Sequence, residues 1–352
     1  MAEAMMSSLM LSVFGLALSS ILVYLSLPRL MSRLTRERIV GRDMLKREET
    51  YAPESGGIAI VMALVISLTI VSYLFVTYAY KPQSGEPART EMYVWMLSAI
   101  ATILSVGFIG LVDDYLKIPQ RYKIIFPAFA ALPLAFGFIG RVDFWVPFIG
   151  YVRLGVLYPL LLIPLGITAA SNLTNMYAGL NGLESGTGMI VCGFTALAAG
   201  LVGRWEAVIV LAPMMGALAA FLAYNSYPSR VFPGDVGTLS IGACLAIASM
   251  VGRIKIIAVI ALAPHIVNFL MYVIKIRFFA AHPEAKFASV RKDGTLAPPE
   301  GAEYGSLYFM IMHLFRKGEK WHVRFHWALC AVSGSAAIIV GILIPAYGIS
   351  VF

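Results

Sequence analysis

The chain contains about ten apolar runs, each near the length of about 20 residues that a helix needs to cross a membrane. Only 13% of the 352 residues are charged, whereas soluble domains carry about 25% because their surface faces water. The sequence therefore predicts an all-α integral membrane protein that forms a single polytopic domain over residues 1–352. The predicted spans lie near residues 7–28, 56–79, 92–112, 124–140, 154–174, 187–203, 206–224, 236–252, 256–279 and 327–350.

The formal net charge of +8 comes from basic residues in short loops, without an extended basic face. This pattern favours phosphate-bearing lipids and anionic substrates as partners, and not nucleic acid. The positive-inside rule places the more basic loops in the cytoplasm and both termini outside. Within the cytoplasmic loop 282–326, the apolar stretch 304–315 is too short to span and predicts an interfacial helix. Twenty of the 27 Lys and Arg residues lie in the loops 29–49, 113–123, 225–235 and 275–326.

Two adjacent carboxylates, Asp113 and Asp114, close the third predicted span. Charged residues at membrane depth are costly and usually functional. The two carboxylates repel each other unless a cation compensates, and Lys117 and Lys123 follow closely in the sequence. Mg²⁺ is the natural partner where phosphate is also bound. A solvated pair of carboxylates at a helix end is the alternative.

A polar segment after the fifth span contains Asn175, Asn181 and Glu184 among glycines. Asn side chains offer both a donor and an acceptor, which suits a metal ion or the edge of a nucleobase. Asp235 begins the eighth span and returns a third carboxylate to the same side, where Mg²⁺ could be held against a diphosphate. Capping of the next helix is a compatible role for Asp235. Arg230, just before it, is a further candidate for substrate binding.

Two basic segments on the same side are candidates for binding an anionic substrate. Lys46 lies before the second span and is a candidate phosphate ligand, although ordinary positive-inside charge accounts for it equally well. His282, Lys286 and Arg291 in the last cytoplasmic loop are candidates for diphosphate or sugar binding. A solvated loop is the alternative for these three residues.

Four motifs occur in order at the span ends: GLVDDYLK, NLTNMYAGLNGLESG, YNSYPSRVFPGD and PHIVNFL. Together they closely resemble the polyprenyl-phosphate N-acetylhexosamine-1-phosphate transferases, and the resemblance covers nearly the whole chain. The residues of the second and third motifs are most similar to those of the eukaryotic and archaeal branch. The resemblance implies that Asn175 and Asp235 bind Mg²⁺, or Mn²⁺ in its place. It also implies that Asp113 and Asp114 lie beside the reacting phosphates.

The same resemblance implies that Lys123 contacts phosphate, that Asn181 reads the uracil and that Lys46 lies near the lipid phosphate. The last loop departs from the family, because it reads HPEAKF at 282–287 where that branch has an Arg-His-Arg type cluster. The proposed sugar contacts of this loop therefore lack the support of the match. A homodimer is an expectation at the level of the family alone.

The implied reaction transfers N-acetylglucosamine-1-phosphate, or a related N-acetylhexosamine-1-phosphate, from a UDP-sugar to a polyprenyl or dolichyl phosphate and releases UMP. The implied setting is the cell membrane, or the endoplasmic reticulum membrane in a eukaryote, with a cytoplasmic active site. A nucleotide-sugar transporter or lipid flippase is the alternative. Such proteins place polar sites near the bilayer midplane and often show repeated halves, whereas these motifs lie at span ends on one side.

Overall fold

Almost all regular structure in the chain is helical, and this confirms the predicted all-α integral membrane protein. The computed structural model describes residues 2–46, 49–82, 86–138, 143–146, 150–282 and 288–346. The helices are α1 Ala2–Arg36, α2 Gly57–Leu74, α3 Arg89–Leu116, α4 Gln120–Ala130, α5 Leu132–Gly137, α6 Ile163–Met176, α7 Leu183–Leu201, α8 Trp205–Asn225, α9 Gly234–Val251, α10 Lys255–Ala261, α11 Ala263–Ile274, α12 Ile276–Ala281, α13 Leu307–Leu314 and α14 Glu319–Ala346.

Short antiparallel hairpins and π-helical turns complete the described structure. The π-helical turns extend α2 over Phe75–Ala79 and precede α6 over Tyr158–Leu162. The hairpins pair β1 Val40–Arg42 with β2 Tyr51–Pro53, β3 Asp143–Val146 with β4 Gly150–Arg153, and β5 Ser289–Val290 with β6 Leu296–Ala297.

Judged by length and hydropathy, fewer helices can cross a membrane than the ten predicted, so the predicted count is not confirmed. Within the described residues, seven helices are long and apolar enough to cross a membrane, or eight if the bent pair α10–α11 is one span. At the fourth predicted position the apolar helix covers only Ile125–Gly137. At the fifth, a π-helical turn precedes the 14 residues of α6.

The ninth predicted span is broken near Pro264. Helices α10 and α11 meet at an angle of 66°. Pro264 lies in the first turn of α11, where its missing N–H costs the helix nothing but prevents the preceding helix from continuing.

Helix α9 forms the centre of the bundle. Every residue from Val236 to Val251 is buried, and the helix packs against α2, α3, α6 and α8. Its many Gly, Ala and Ser residues let neighbouring backbones approach closely, as is typical of helix interfaces in membranes. At Gly242, an added Cβ would collide with the carbonyl group of Ala170 in α6. The small residues of α9 thus allow a tightly packed centre.

A second close approach joins the end of α3 to the start of α9. A Cβ at Gly110 would lie 2.5 Å from the Cα of Val236 and 2.6 Å from the carbonyl oxygen of Asp235. Only glycine fits at this distance. The contact places the carboxylates that end α3 directly beside the first turn of α9.

The polar motifs meet at one end of the bundle because of the helix directions. Helices α3 and α6 end there, and α2, α7, α9 and α14 begin there. The backbone N–H groups of Gly56 and Gly57 donate to the carbonyl oxygens of Phe232 and Pro233, each at 2.9 Å. The N–H of Asn181 donates to Glu319 at the start of α14 at 2.7 Å. Segments far apart in the sequence are therefore joined at this end.

The short apolar stretch in the last loop forms the predicted helix, α13. Ser306 caps it, since its hydroxyl oxygen accepts from the N–H of Phe309 at 3.1 Å. Leu307, Phe309, Ile311 and Met312 are buried. The helix therefore packs against the rest of the chain, and its interfacial position stays a prediction.

Because Gly110 meets backbone atoms of α9, we expect Gly110→Ala to destabilise the protein by about 1–3 kcal/mol through overpacking. Gly200→Ala on α7 is the matched control, since a Cβ there would meet its nearest neighbour at 3.8 Å. That control should be neutral or slightly stabilising, as Ala is the better helix former. Unfolding in detergent, followed by intrinsic fluorescence, measures both. Equal stability of the two variants would contradict the close approach.

Candidate active site

A cleft of about 710 Å³ opens at the end of the bundle where the motifs meet. Seven of the twelve predicted site residues line it, and they come from α3, α4, α6, α7, α9 and the loop between α6 and α7. These residues are Asp113, Asp114, Lys123, Asn175, Asn181, Glu184 and Asp235. The structure therefore brings together most of the residues that the sequence motifs singled out.

Lys123 lies between two carboxylates of the cleft. Its Nζ is 2.6 Å from Asp113 Oδ2 and 3.1 Å from Asp235 Oδ2. Burial alone would lower the pKa of Lys123, but the hydrogen bonds and charges of the two carboxylates outweigh burial and raise this pKa. Lys123 is thus a fixed cation that compensates the charge of both aspartates.

Asp113 and Asp235 differ in their access to the cleft. The side chain of Asp113 is 2% exposed and that of Asp235 is 25% exposed. Asp113 Oδ1 also accepts from the N–H of Ile118 at 2.9 Å, just after Lys117 ends α3 in the left-handed conformation with φ of 48°. Asp113 is therefore held on both oxygens, whereas Asp235 is the carboxylate that a ligand can reach.

Asp114 caps the helix that carries Asp235. Its Oδ1 accepts from the N–H of Asp235 at 2.6 Å, and its Oδ2 accepts from the Ser55 hydroxyl at 2.8 Å. A carboxylate at a helix N-terminus satisfies an unpaired N–H and interacts favourably with the helix dipole. The cap that the sequence analysis considered for Asp235 is thus supplied by Asp114 from α3. Through these two hydrogen bonds, Asp114 holds Ser55 and the start of α9 in place beside the cleft.

Asn175 and Asp235 supply oxygen atoms that fit a hard divalent cation. Asn175 Oδ1 accepts from the Thr238 hydroxyl at 2.9 Å, and Thr238 lies one turn after Asp235 on α9. Among the described residues, no group of three or more His, Cys, Asp or Glu side chains is arranged to hold a metal ion. Mg²⁺ needs no such group, since it commonly binds one or two protein oxygens together with substrate phosphates and waters.

A second polar cluster holds Asn181. The Asn181 Nδ2 donates to Asp43 Oδ2 at 2.9 Å, and its N–H donates to Glu319 Oε1. Lys46 joins the two acids, with its Nζ 2.8 Å from Glu319 and 3.3 Å from Asp43. Burial lowers the pKa of Lys46, but the bond to Glu319 and the nearby acids outweigh burial and raise it. Lys46 faces an adjoining cavity of about 740 Å³ that also contains Tyr227.

Glu184 lies in the first turn of α7 and lines the cleft. Its Oε2 atom is buried without a hydrogen-bond partner. Buried polar atoms are normally paired, so this oxygen is a candidate acceptor for a donor group of a bound ligand.

The remaining predicted site residues are not brought to the cleft. Arg230 is exposed, donates to the carbonyl oxygen of Ala223 at 2.9 Å and lies over the Tyr224 ring. Arg291 donates to the carbonyl oxygen of Leu296 at 2.6 Å and so closes the β5–β6 hairpin. His282 is exposed. Lys286 lies outside the described residues.

Several cleft residues were missed by reasoning from the sequence. Asp43 and Glu54 flank Lys46 in the sequence, in a segment where only Lys46 was predicted to bind substrate. Phe232 lies within the third motif and is the one aromatic side chain among the described residues that line the cleft. Burial raises the pKa of Glu54, and Lys117 opposes this shift. Phe232 could have been found from its place in a motif, whereas Asp43 and Glu54 lie outside the four motifs.

Comparison with known proteins agrees with the motifs. Residues 96–253 match the model of the family described as glycosyl transferase family 4. A protein of Sulfolobus acidocaldarius, provisionally named UDP-N-acetylglucosamine–dolichyl-phosphate N-acetylglucosaminephosphotransferase, is 30% identical over 75% of this chain and 79% of its own length. The enzyme of that name from Schizosaccharomyces pombe is 27% identical over 70% and 63%.

A bacterial relative, the phospho-N-acetylmuramoyl-pentapeptide-transferase of Shouchella clausii, is 28% identical over 66% of this chain and 71% of its own length. The fold and the site thus define a polytopic membrane protein with a polar cleft at one end of its bundle. The chain belongs to glycosyl transferase family 4.

Asp114 accepts hydrogen bonds from the N–H of Asp235 at the start of α9 and from the Ser55 hydroxyl. We therefore expect Asp114→Ala to lower the free energy of unfolding by about 1–2 kcal/mol. Asp114→Asn keeps an acceptor for the N–H of Asp235 and should lose less than half as much. Glu37→Gln, which changes an exposed carboxylate at the end of α1, should be neutral. Denaturant unfolding in detergent measures all three. A loss in Asp114→Asn as large as in Asp114→Ala would rule out the capping role.

Proposed function

We propose that the protein transfers N-acetylglucosamine-1-phosphate, or a related N-acetylhexosamine-1-phosphate, from a UDP-sugar to a polyprenyl or dolichyl phosphate and releases UMP. The observation that carries the proposal is the cleft in which Lys123 joins Asp113 and Asp235, with Asn175 beside them. The names of the archaeal and yeast relatives support phosphosugar transfer to dolichyl phosphate, and the name of the bacterial relative supports phosphosugar transfer. None of them supports the transporter alternative.

The reaction brings two anions together, because the lipid phosphate attacks the β-phosphorus of the UDP-sugar. Two unit charges at 4 Å repel by roughly 4 kcal/mol at an effective dielectric constant near 20. The ammonium group of Lys123 offsets this repulsion and stabilises the charge that develops on the leaving UMP. Its two carboxylate partners fix its position in advance.

The donor set at the cleft supports Mg²⁺ dependence. Asp235 and the amide oxygen of Asn175 would hold the ion, with Mn²⁺ as a substitute. When bound, the ion would neutralise the diphosphate and polarise its oxygen atoms. Asp114 keeps Asp235 in place through the N-terminus of α9.

The contacts of Asp113 favour direct attack over a covalent aspartyl intermediate. Both of its oxygens are engaged, by Ile118 and by Lys123, and its side chain is 2% exposed. A nucleophile must reach the phosphorus in line, which this buried carboxylate could do only after losing both contacts. We therefore propose the lipid phosphate itself as the nucleophile, with Asp113 holding Lys123 in position. The same two contacts keep Asp113 from reaching a proton on the lipid phosphate.

Two side chains of the cleft suit the nucleoside. Asn181 offers an amide to a base edge, and Phe232 offers an aromatic face on which a base can stack. Glu184 contributes an unpaired acceptor oxygen to the same cleft. We assign the phosphates to Lys123 and Asp235, and the nucleoside to Asn181 and Phe232, within the same cleft.

The proposed setting follows from charge and from the direction of the helices. The cleft would face the cytoplasm, where positively charged loops are favoured, and both termini would lie outside. Near the bend between α10 and α11, Val259, Val267 and Leu270 are exposed. These apolar side chains would contact the lipid tail while its phosphate reaches the cleft.

The first test uses purified protein, radiolabelled UDP-N-acetylglucosamine, a polyprenyl phosphate and Mg²⁺. We expect lipid-linked product and UMP in equal amounts, and loss of both with EDTA until Mg²⁺ is restored. Asp235→Asn and Lys123→Met should each lower kcat by at least about 100-fold, since each removes charge stabilisation at the reacting phosphates. Glu37→Gln should retain full activity. A wild type that makes no product with any UDP-sugar, but transports one into liposomes, would favour the transporter.

Phe232 provides a separate test of the proposed nucleoside site, which Asn181 and Phe232 form. Stacking of a base on an aromatic ring contributes about 1–3 kcal/mol, so we expect Phe232→Ala to raise KM for the UDP-sugar by roughly 5- to 100-fold. Phe232→Tyr keeps the ring and should raise it by less than about threefold. Steady-state kinetics measures both. Unchanged KM in Phe232→Ala would remove Phe232 from the nucleoside site.

A further inference from the structure

Asp43 is a fixed carboxylate that contacts the amide of Asn181. Its side chain is 10% exposed, and its Oδ2 lies 3.3 Å from Lys46 Nζ. Its Oδ1 accepts from the N–H of Leu45 at 3.1 Å, and its own N–H donates to the carbonyl oxygen of Thr50 at 2.9 Å. Asp43 is therefore held by the turn that contains it and by an ion pair.

The charge of Asp43 determines which way the Asn181 amide points. A carboxylate in an ion pair with lysine accepts hydrogen bonds and donates none. The amide group that faces Asp43 Oδ2 must then be the nitrogen, as the 2.9 Å bond shows. Rotation of the amide by half a turn would place two acceptors against each other. The Oδ1 of Asn181 is thereby kept on the side away from Asp43.

The backbone of Asn181 is fixed independently of its side chain. Its N–H donates to Glu319 Oε1, so the whole residue cannot shift to compensate for a rotated amide. Within the described part of the chain, its Oδ1 makes no hydrogen bond, and Asn181 lines the cleft. A base in the cleft therefore meets an acceptor in one defined place, with the second Nδ2 hydrogen beside it.

Uracil and cytosine differ at the atoms that such an amide contacts. Uracil presents a donor at N3–H with the O4 acceptor beside it, whereas cytosine presents an acceptor at N3 and a donor at its 4-amino group. An amide oxygen facing N3 with the amide nitrogen facing position 4 matches uracil. The same amide would match cytosine only after rotation by half a turn, unless the base moved.

We propose that Asp43 is a specificity-determining residue that locks the Asn181 amide in the orientation that selects uracil over cytosine. This inference rests on the proposed function, because it assumes that the cleft binds a nucleoside diphosphate sugar. Asp43 acts through Asn181 and is therefore a positioning residue. The ion pair with Lys46 holds Asp43 Oδ2 in place beside the amide, which gives Lys46 a role other than contact with phosphate.

The test compares UMP and CMP as competitive inhibitors of purified full-length protein assayed with UDP-N-acetylglucosamine. A mismatched base edge typically costs enough to give a preference of about 10- to 100-fold, which we expect for UMP in the wild type. In Asp43→Asn, the residue at position 43 can donate or accept, so the Asn181 amide can rotate. We expect CMP to bind more tightly than to the wild type and the UMP/CMP preference to fall at least about fivefold.

Two controls separate selection from loss of structure. Glu319→Ala removes the acceptor of the Asn181 N–H and leaves Asp43 in place, so UMP and CMP should weaken together and their ratio should stay. Asp43→Glu keeps a carboxylate at this position, so this variant should prefer UMP as the wild type does. If Asp43→Asn does not fold, Asp43→Ser gives the same test, because a hydroxyl group also donates or accepts.

An active wild type whose UMP/CMP ratio is unchanged in Asp43→Asn would overturn this inference and leave the proposed function standing. Weakening of both nucleotides by the same factor in that variant would also overturn it. A wild type that forms no lipid-linked product and binds neither nucleotide would overturn the proposed function, and this inference with it.

Discussion

The ion pairs of Lys123 with Asp113 and Asp235 depend on how closely α3 and α9 approach each other. Gly110 removes the side chain that would keep the two backbones apart, and Asp114 then reaches across to cap α9. Two neighbouring carboxylates thereby receive different tasks. Asp114 fixes the start of α9, and Asp113 holds the lysine that balances Asp235. Without the close approach, neither the cap nor the ion pairs could form.

The proposed nucleoside site depends on a separate set of contacts between distant parts of the chain. Asn181 is joined to the loop before α2 through Asp43 and to the start of α14 through Glu319. Lys46 ties the two acids together. A buried network of this kind is stabilising when every member is paired, and it then fixes one arrangement of its side chains. Two different ion-pair networks therefore position side chains of the cleft, one around Lys123 and one around Lys46.

Much of the fold followed from the sequence, because apolar length and turn residues act locally. The long apolar helices were predicted for this reason, and so was the helix before Phe315. The count of spans was less secure, since α6 is extended by a π-helical turn and the fourth position holds only a short apolar helix. Length and hydropathy do not report how a short helix packs against its neighbours.

The motifs predicted that Asp113, Asn175 and Asp235 would lie on one side of the membrane, and the structure places them in one cleft. Contacts between distant parts of the chain were not predictable. Lys46, for example, pairs with Glu319, 273 positions away. Asp113 and Asp114 are likewise adjacent and chemically identical in the sequence. Only the tertiary contacts show that Asp114 caps α9 whereas Asp113 pairs with Lys123.

The central claim is that the bond broken lies between the two phosphates of the UDP-sugar. UDP-N-acetylglucosamine labelled with ³²P at the β-phosphate tests it directly, with the lipid and aqueous products separated after a single incubation. We predict that the label enters the lipid fraction and that the released UMP carries none. Label recovered in released UDP would mean that the sugar alone is transferred, and it would contradict the account.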